Sequence, residues 1–426
     1  MKLDQLRAFV TSPAFETLCD SLYKEGEGEM QRQRYLGLID QAADDSPDYA
    51  FFSVPGRTEL SGSHTDHNLG MILAASIDLD SLALVRPLPG NRVRLFSRGY
   101  DKAFEVNLDQ LEMQPGEKES TEALIRGVAA GIKKRGGQIG GFEAWVDSRV
   151  LTGSGLSSSA SIEILLGTIL NDFYNNNRFD YIQLAQIGQE AENLYFGKPC
   201  GLMDQLACAA GGVVFVDFAD AKSPKVERLE VSFYHYGYAL AVVDTGGSHA
   251  DLTEHYASIP REMKSVAALL GQPVLRPIAI ENLLAKGPEI CMKLGIRPFV
   301  RSLHFVNENR RVKAQKEALL QSDMSSYLAL AAQSGHSSFE SLQNCLVPGA
   351  VKDQEIPLAL SLAQSFLEGE GACRVHGGGF AGTIQVYLPV NKVEGFKKLI
   401  TPFFGEKALT LLRIRNMAAG KLDLFV

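Results

Sequence analysis

Arg149-Val-Leu-Thr-Gly-Ser-Gly-Leu-Ser-Ser-Ser-Ala-Ser-Ile-Glu-Ile-Leu-Leu-Gly167 starts as a glycine- and serine-rich loop and turns into an apolar helical run. Gly153 and Gly155 allow a positive φ or a close backbone approach to a ligand. Ser157, Ser158 and Ser159 stand where a helix begins, and serine is a favoured N-cap because its oxygen satisfies an orphan N–H. Beyond them Ile162, Leu165, Leu166 and Ile169 recur at helical spacing and predict one buried face. A glycine loop feeding a helix start presents free N–H groups and the positive end of the helix dipole, which suits phosphate. A well-capped core helix after a turn reads the same way. The stretch is not the P-loop of nucleoside triphosphatases, since no Gly-Lys-Ser/Thr follows the first glycine at the required spacing.

Upstream, Phe142–Val146 reads as the strand that delivers the chain to this loop. Downstream, 156–174 and 181–195 read as helices. They lead to Gly197-Lys-Pro-Cys-Gly-Leu-Met-Asp-Gln-Leu-Ala207. There Asp204 sits among Leu202, Met203, Leu206 and Ala207, where a carboxylate is costly unless paired. It is either a first-turn helix carboxylate satisfied by backbone amides or a positioned base.

Nearer the N-terminus, residues 1 to about 48 read as polar helices. Phe51-Phe-Ser-Val reads as a short strand ending at the turn signal Pro55-Gly56. The polar stretch Arg57-Thr-Glu-Leu-Ser-Gly-Ser-His-Thr-Asp-His-Asn-Leu-Gly70 follows. A polar loop of this kind at a strand end commonly carries function. His64, Asp66 and His67 could ligate a metal, or hydrogen-bond a hydroxylated substrate with paired donors and acceptors. Strands are expected over 71–86, 92–96 and 103–106, and a helix over 121–135 closing on Gly136-Gly137.

Val213–Val216 and Tyr238–Asp244 read as strands. The polar segment around Pro224 between them suggests two domains, 1–220 and 221–426. The polar run 245–256 leads into an expected helix over 257–270. Helices are also expected over 299–333 and 355–369. In Cys373-Arg-Val-His-Gly-Gly-Gly-Phe-Ala-Gly-Thr-Ile-Gln-Val-Tyr-Leu388, Gly377, Gly379 and Gly382 satisfy G-x-G-x-x-G. A dinucleotide fold needs a helix next, but Thr383–Leu388 alternates as a strand, and no H-R-D or D-F-G follows as in a protein kinase. A glycine hairpin and a backbone wall against a substrate both fit.

At 426 residues the chain can build two or three domains. Its 45% hydrophobic and 22% charged residues are those of a globular enzyme. A net charge of −8 argues against nucleic acid as the main partner, though not against a nucleotide. The six cysteines form no C-x-x-C pair and read as free thiols. No signal peptide or membrane-spanning run stands out, so a cytoplasmic protein is expected.

Three separated segments together resemble the galactokinase branch of the GHMP small-molecule kinases. They are Pro55-Gly-Arg-Thr-Glu-Leu-Ser-Gly-Ser-His-Thr-Asp-His-Asn, Gly153-Ser-Gly-Leu-Ser-Ser-Ser-Ala and His376-Gly-Gly-Gly-Phe-Ala-Gly. The resemblance implies an α+β, two-lobed fold with the active site between the lobes. It implies transfer of phosphate from ATP, with Mg²⁺, to the anomeric hydroxyl of galactose. Asp204 would be the catalytic base and Arg57 its partner. Ser63, His64, Asp66, Tyr256 and Gly201 would meet the sugar. Gly153, Ser154, Gly155, Leu156, Ser157, Ser158, Ser159 and Ala160, with Gly378 and Gly379, would meet ATP. Ser158 and Glu192 would hold Mg²⁺. Such a chemistry rests on charge neutralisation and alignment.

The chain departs from the family where Ser63-His-Thr-Asp-His67 replaces the usual Glu-His-Thr-Asp-Tyr. The glutamate normally meets the C6 hydroxyl, so a kinase for another galactose-like sugar is the alternative substrate reading. A non-catalytic sensor of ATP and sugar is the alternative from another class.

Overall fold

The computed structural model describes residues 1–42, 48–150, 156–220, 222–247 and 252–423. Its first sheet grows from one long hairpin. The strands are β1 (Ala50–Ser61), β2 (Met71–Leu88), β3 (Arg92–Ser97), β4 (Phe104–Asn107) and β5 (Gly141–Ser148). Then come β6 (Val213–Asp217), β7 (Lys225–Leu229), β8 (Tyr238–Asp244), β9 (Ala372–His376), β10 (Thr383–Pro389), β11 (Leu409–Leu412) and β12 (Gly420–Lys421). The larger sheet runs β12-β1-β2-β5-β3-β4. The length of β2 lets it serve two partners: Met71–Ala75 pairs with β6, and Ser81–Leu88 with β5. Within this sheet β3 and β5 are parallel. The smaller sheet is antiparallel, ordered β11-β8-β10-β9. The architecture is α+β, as expected, and is built on two sheets.

Both faces of the β1–β2 hairpin are covered, which explains its nearly unbroken apolar run. Phe52, Val54, Ala83 and Val85 pack under helices Thr121–Lys134, Ser158–Asn175 and Tyr181–Glu190. Phe51, Leu82 and Leu84 face the N-terminal helices, with Trp145 of β5. A third core is shared between the lobes. It joins Leu73, Ala75 and Phe215 to Val242, Tyr387 and Tyr327. The expected division after residue 220 falls inside the β6–β7 hairpin, both strands of which belong to the larger sheet. The chain later returns to that sheet through β12.

Two local expectations are corrected. β1 does not stop at Pro55-Gly56 but continues to Ser61, with a register shift between Pro55 and Arg57. A proline is tolerated at a bulge, where the ladder is already interrupted. There the N–H of Arg57 bonds Leu156 O at 3.2 Å, which ties the strand to the serine stretch. The helix expected over 181–195 is α-helical only to Glu190; Ala191–Phe196 widen into a π-helical turn. Such turns recur at functional sites, and this one carries Glu192. Helices Ile280–Ala285 and Gly287–Leu294 had no expected counterpart. Among the described residues no helix is long and apolar enough to cross a membrane.

Candidate active site

Arg57 and Asp204 meet across 147 positions of chain. Arg57 Nε donates to Asp204 Oδ1 and Nη2 to Oδ2, each at 2.8 Å. This bidentate fork fixes the carboxylate in two directions. The Arg57 side chain is buried, while that of Asp204 is 28% exposed and so open to a substrate. Burial opposes ionisation of Asp204, but the Arg57 charge and fork, with a Ser157 hydroxyl bond, outweigh it. The carboxyl is held below its ordinary value, hence ionised at neutral pH.

The serine run does something other than cap its helix. Ser157 takes a left-handed conformation at φ 60°, and its side chain does not cap the helix that follows. Its hydroxyl donates to Asp204 Oδ2 instead. The first-turn N–H groups are thus not capped by Ser157, and the positive end of the helix dipole lies with them. Leu156 and Ala160 have fully buried side chains, so only their backbone can serve a phosphate. Ser158 and Ser159 are half-buried at the helix start. Gly153, Ser154 and Gly155 lie outside the described residues.

Beside this helix start, Ser159 Oγ donates to Glu192 Oε1 at 3.0 Å. Lys198 Nζ approaches the same oxygen at 3.7 Å. Gln205 Nε2 donates to both Glu192 Oε2 and Glu163 Oε2, each at 2.9 Å. Burial first, then the Glu192 charge, pushes Glu163 well above the usual carboxylate range. Among the described residues no group of three or more His, Cys, Asp or Glu could hold a metal by itself. Glu192 with serine hydroxyls is a hard-oxygen donor set. It fits Mg²⁺, which takes one or two carboxylates and completes its shell with phosphates and water.

Gly201, just ahead of the helix that carries Asp204, leads to the residues expected to meet a sugar. Asp66 and Gly201 touch so closely that a Cβ on Gly201 would fall 1.7 Å from Asp66 Oδ2. Asp66 Oδ1 accepts the His67 N–H at 2.9 Å. His64 sits at φ 56° and its Nε2 donates to Gly378 O at 2.9 Å. Burial lowers this imidazole to about 4, so it is neutral and its Nδ1 is an acceptor. Tyr256 Oη donates to Gly379 O at 2.8 Å, and a Cβ on Gly378 would lie 2.6 Å from the Tyr256 ring. Burial raises the Tyr256 phenol to about 12. Gly378 and Gly379, expected at ATP, are thus placed against His64 and Tyr256. Ser63 is fully buried, and its hydroxyl has no partner among the described residues.

Four residues not singled out from the sequence complete the setting. Gln385 Nε2 donates to Thr58 Oγ1 at 2.8 Å, and Thr58 Oγ1 meets His376 Nε2 at 3.0 Å. His376 Nδ1 reaches Thr383 Oγ1 at 3.0 Å. Burial, then the Arg57 and Arg374 charges, keeps His376 well below its ordinary value. The relay Gln385–Thr58–His376–Thr383 is therefore neutral, and it joins β1 beside Arg57 to the smaller sheet. Glu163 had a readable signal, as a carboxylate between Ile162 and Ile164 on an apolar helix. His376 and Gln385 had none beyond their place in the glycine segment.

With this geometry in view, comparison with known proteins gives two family matches. GHMP kinases N terminal domain matches residues 123–212, and the galactokinase galactose-binding signature matches residues 40–87. Among solved structures, the Lactococcus lactis galactokinase complexed with galactose is similar, at a TM-score of 0.76 and 23% identity. That match covers 92% of this chain and 99% of the other. The Methanococcus jannaschii mevalonate kinase matches with a TM-score of 0.60 at 14% identity, over 86% and 99% of the two chains. The Streptococcus pneumoniae phosphomevalonate kinase, in complex with phosphomevalonate and AMPPNP, matches at 0.57 and 13%, over 87% and 99%.

Proposed function

We propose that this chain, a galactokinase-like protein with the GHMP kinase fold, transfers the γ-phosphate of ATP to the anomeric hydroxyl of galactose. The observation that carries the reading is the Arg57–Asp204 fork. It meets Ser157 at the start of one helix, and Gly201, just ahead of the helix that carries Asp204, packs on Asp66.

The ATP phosphates would lie at the helix start, on the backbone N–H groups of its first turn. Glu192, with Ser158 or Ser159, would hold Mg²⁺, which supplies charge neutralisation on the phosphates. Asp66 and the neutral His64 orient the sugar hydroxyls. The anomeric oxygen attacks the γ-phosphorus, the bond to the β–γ bridging oxygen breaks, and ADP leaves. The hydroxyl proton goes to Asp204. A carboxylate held this low is a weak base, which suits a loose transition state in which little bond to the nucleophile has formed. Arg57 keeps Asp204 ionised and aimed, so its main service is placement.

A related sugar is the second reading, carried by Ser63, whose small buried side chain stands where the family has glutamate. A coupled ATP-turnover assay with Mg²⁺ tests both. The panel is galactose, 6-deoxygalactose, N-acetylgalactosamine, galacturonate, glucose and arabinose. Galactose leading supports the first reading, and another member leading moves the substrate and keeps the chemistry. Sugar and ATP binding without turnover would make the protein a sensor and end the kinase reading.

A further inference from the structure

The loop that carries His64 and Asp66 belongs to the first lobe, yet it is held by a helix of the second. Ile296–Leu320 presents His304, Glu308 and Asn309 to it, and the first two are one helical turn apart. Glu308 is fully buried, and its Oε1 accepts the Gly62 N–H at 3.0 Å and the Ser61 hydroxyl at 3.3 Å. Ser334 Oγ donates to the same oxygen at 2.6 Å, and Arg311 Nε donates to Oε2 at 2.7 Å. His304 Nε2 meets Ser63 O at 3.0 Å. A carbonyl only accepts, so Nε2 carries the proton, and Nδ1 then accepts from the Ser337 hydroxyl at 2.9 Å. Asn309 Oδ1 accepts the Met71 N–H at 2.7 Å. The contacts fall on both ends of the loop and leave His64 and Asp66 between them.

The loop needs holding. Gly62 lies at φ 96°, and the non-glycine residues His64 and Leu69 lie at 56° and 59°. Left-handed non-glycine residues persist only where the surroundings over-determine them. We propose that His304, Glu308 and Asn309 are positioning residues for sugar recognition. They set the conformation of loop 61–71, and with it the aim of His64 and Asp66, without touching substrate. The proposal rests on the kinase reading above for its sugar, but the hold itself is a statement about the loop.

The test compares His304→Leu, which deletes the donor to Ser63, with His304→Gln, whose amide can donate to the same carbonyl. Kinetic constants for galactose and ATP are measured on the intact chain, with hydrogen exchange of peptides spanning 61–71. His304→Leu should raise the galactose KM about tenfold or more, leave the ATP KM within about twofold, and speed exchange of the loop peptides. His304→Gln should restore most of the galactose KM. Equal changes in both KM values, or no restoration by glutamine, overturn the proposal. Because Glu308→Ala exposes buried partners and risks unfolding, Asn309→Leu is the second variant, with the same split expected. If the unaltered chain phosphorylates no sugar, the kinase reading fails. Exchange then decides the hold alone: faster loop exchange in His304→Leu supports it, and unchanged exchange overturns it.

Discussion

Replacing Gly201 with alanine should injure the sugar side of the site and spare the nucleotide side. The added Cβ would fall 1.7 Å from Asp66 Oδ2 and 2.8 Å from its Cγ. A carbon and an oxygen in close contact sit at about 3.3 Å, so the carboxylate must retreat by about 1.6 Å. Asp66 can rotate away while Oδ1 keeps the His67 N–H, so the fold survives and the aim is lost. A misplacement of about 1 Å costs on the order of 10²-fold in rate, or about 2.7 kcal/mol. Steady-state kinetics with sugar and ATP varied separately give the measurement. A drop of about 10²-fold in kcat/KM for sugar, with the ATP KM little moved and the melting temperature within a few degrees, is expected. Wild-type sugar kinetics in a folded Gly201→Ala protein would refute the placement of Asp66 as a sugar ligand.

Asp204→Asn keeps the size of the side chain and removes the proton acceptor. It should lower kcat by about 10²–10⁴-fold while ATP still binds, as isothermal titration with an ATP analogue would show. Gly379→Ala places a Cβ 2.1 Å from Asn344 O at a backbone φ of 83°. It should lower the urea midpoint, by a strain of about 1–3 kcal/mol before the clash is counted. Acid should destabilise the protein in two stages. Burial holds His304 and His376 below their ordinary value, so the unfolded chain takes up protons that the folded chain refuses. Stability therefore falls as pH drops below about 6.5. Burial opposes ionisation of Glu308, but Arg311 and Arg374 hold it to about 2. That stabilisation is present above the unfolded carboxylate value and is lost as pH falls toward 2. A melting temperature that stays level from pH 7 to pH 5 contradicts the first stage.

What the sequence made legible was mostly local. The helix after Ser157 could be read because apolar spacing and a glycine-rich start are properties of neighbours. The role of Ser157 could not, since its hydroxyl goes to Asp204 rather than to its own helix. Pro55-Gly56 carried a turn signal, yet tertiary packing kept the strand going, with Gly56 fitted against Val150 and Leu156 O. The carboxylate of Asp204 was visible as an oddity in an apolar helix start. Its pairing with Arg57 came from resemblance and not from spacing. The fit of Asp66 on Gly201, and the hold of Glu308 on Gly62, join residues more than a hundred positions apart. Nothing in the flanking residues of either partner announces such contacts. The π-helical turn at Ala191–Phe196 leaves no mark in the sequence, because widening by one residue keeps the apolar pattern nearly unchanged.

The central claim is that this site moves phosphate from ATP to the anomeric oxygen of a galactose-like sugar. Phosphorus NMR of a reaction containing the purified protein, ATP, Mg²⁺ and galactose tests it most directly. One new phosphomonoester signal is expected, coupled to the anomeric proton, growing in step with ADP and absent in Asp204→Asn. A phosphate on any other hydroxyl, or the same signal at the same rate in Asp204→Asn, would contradict it.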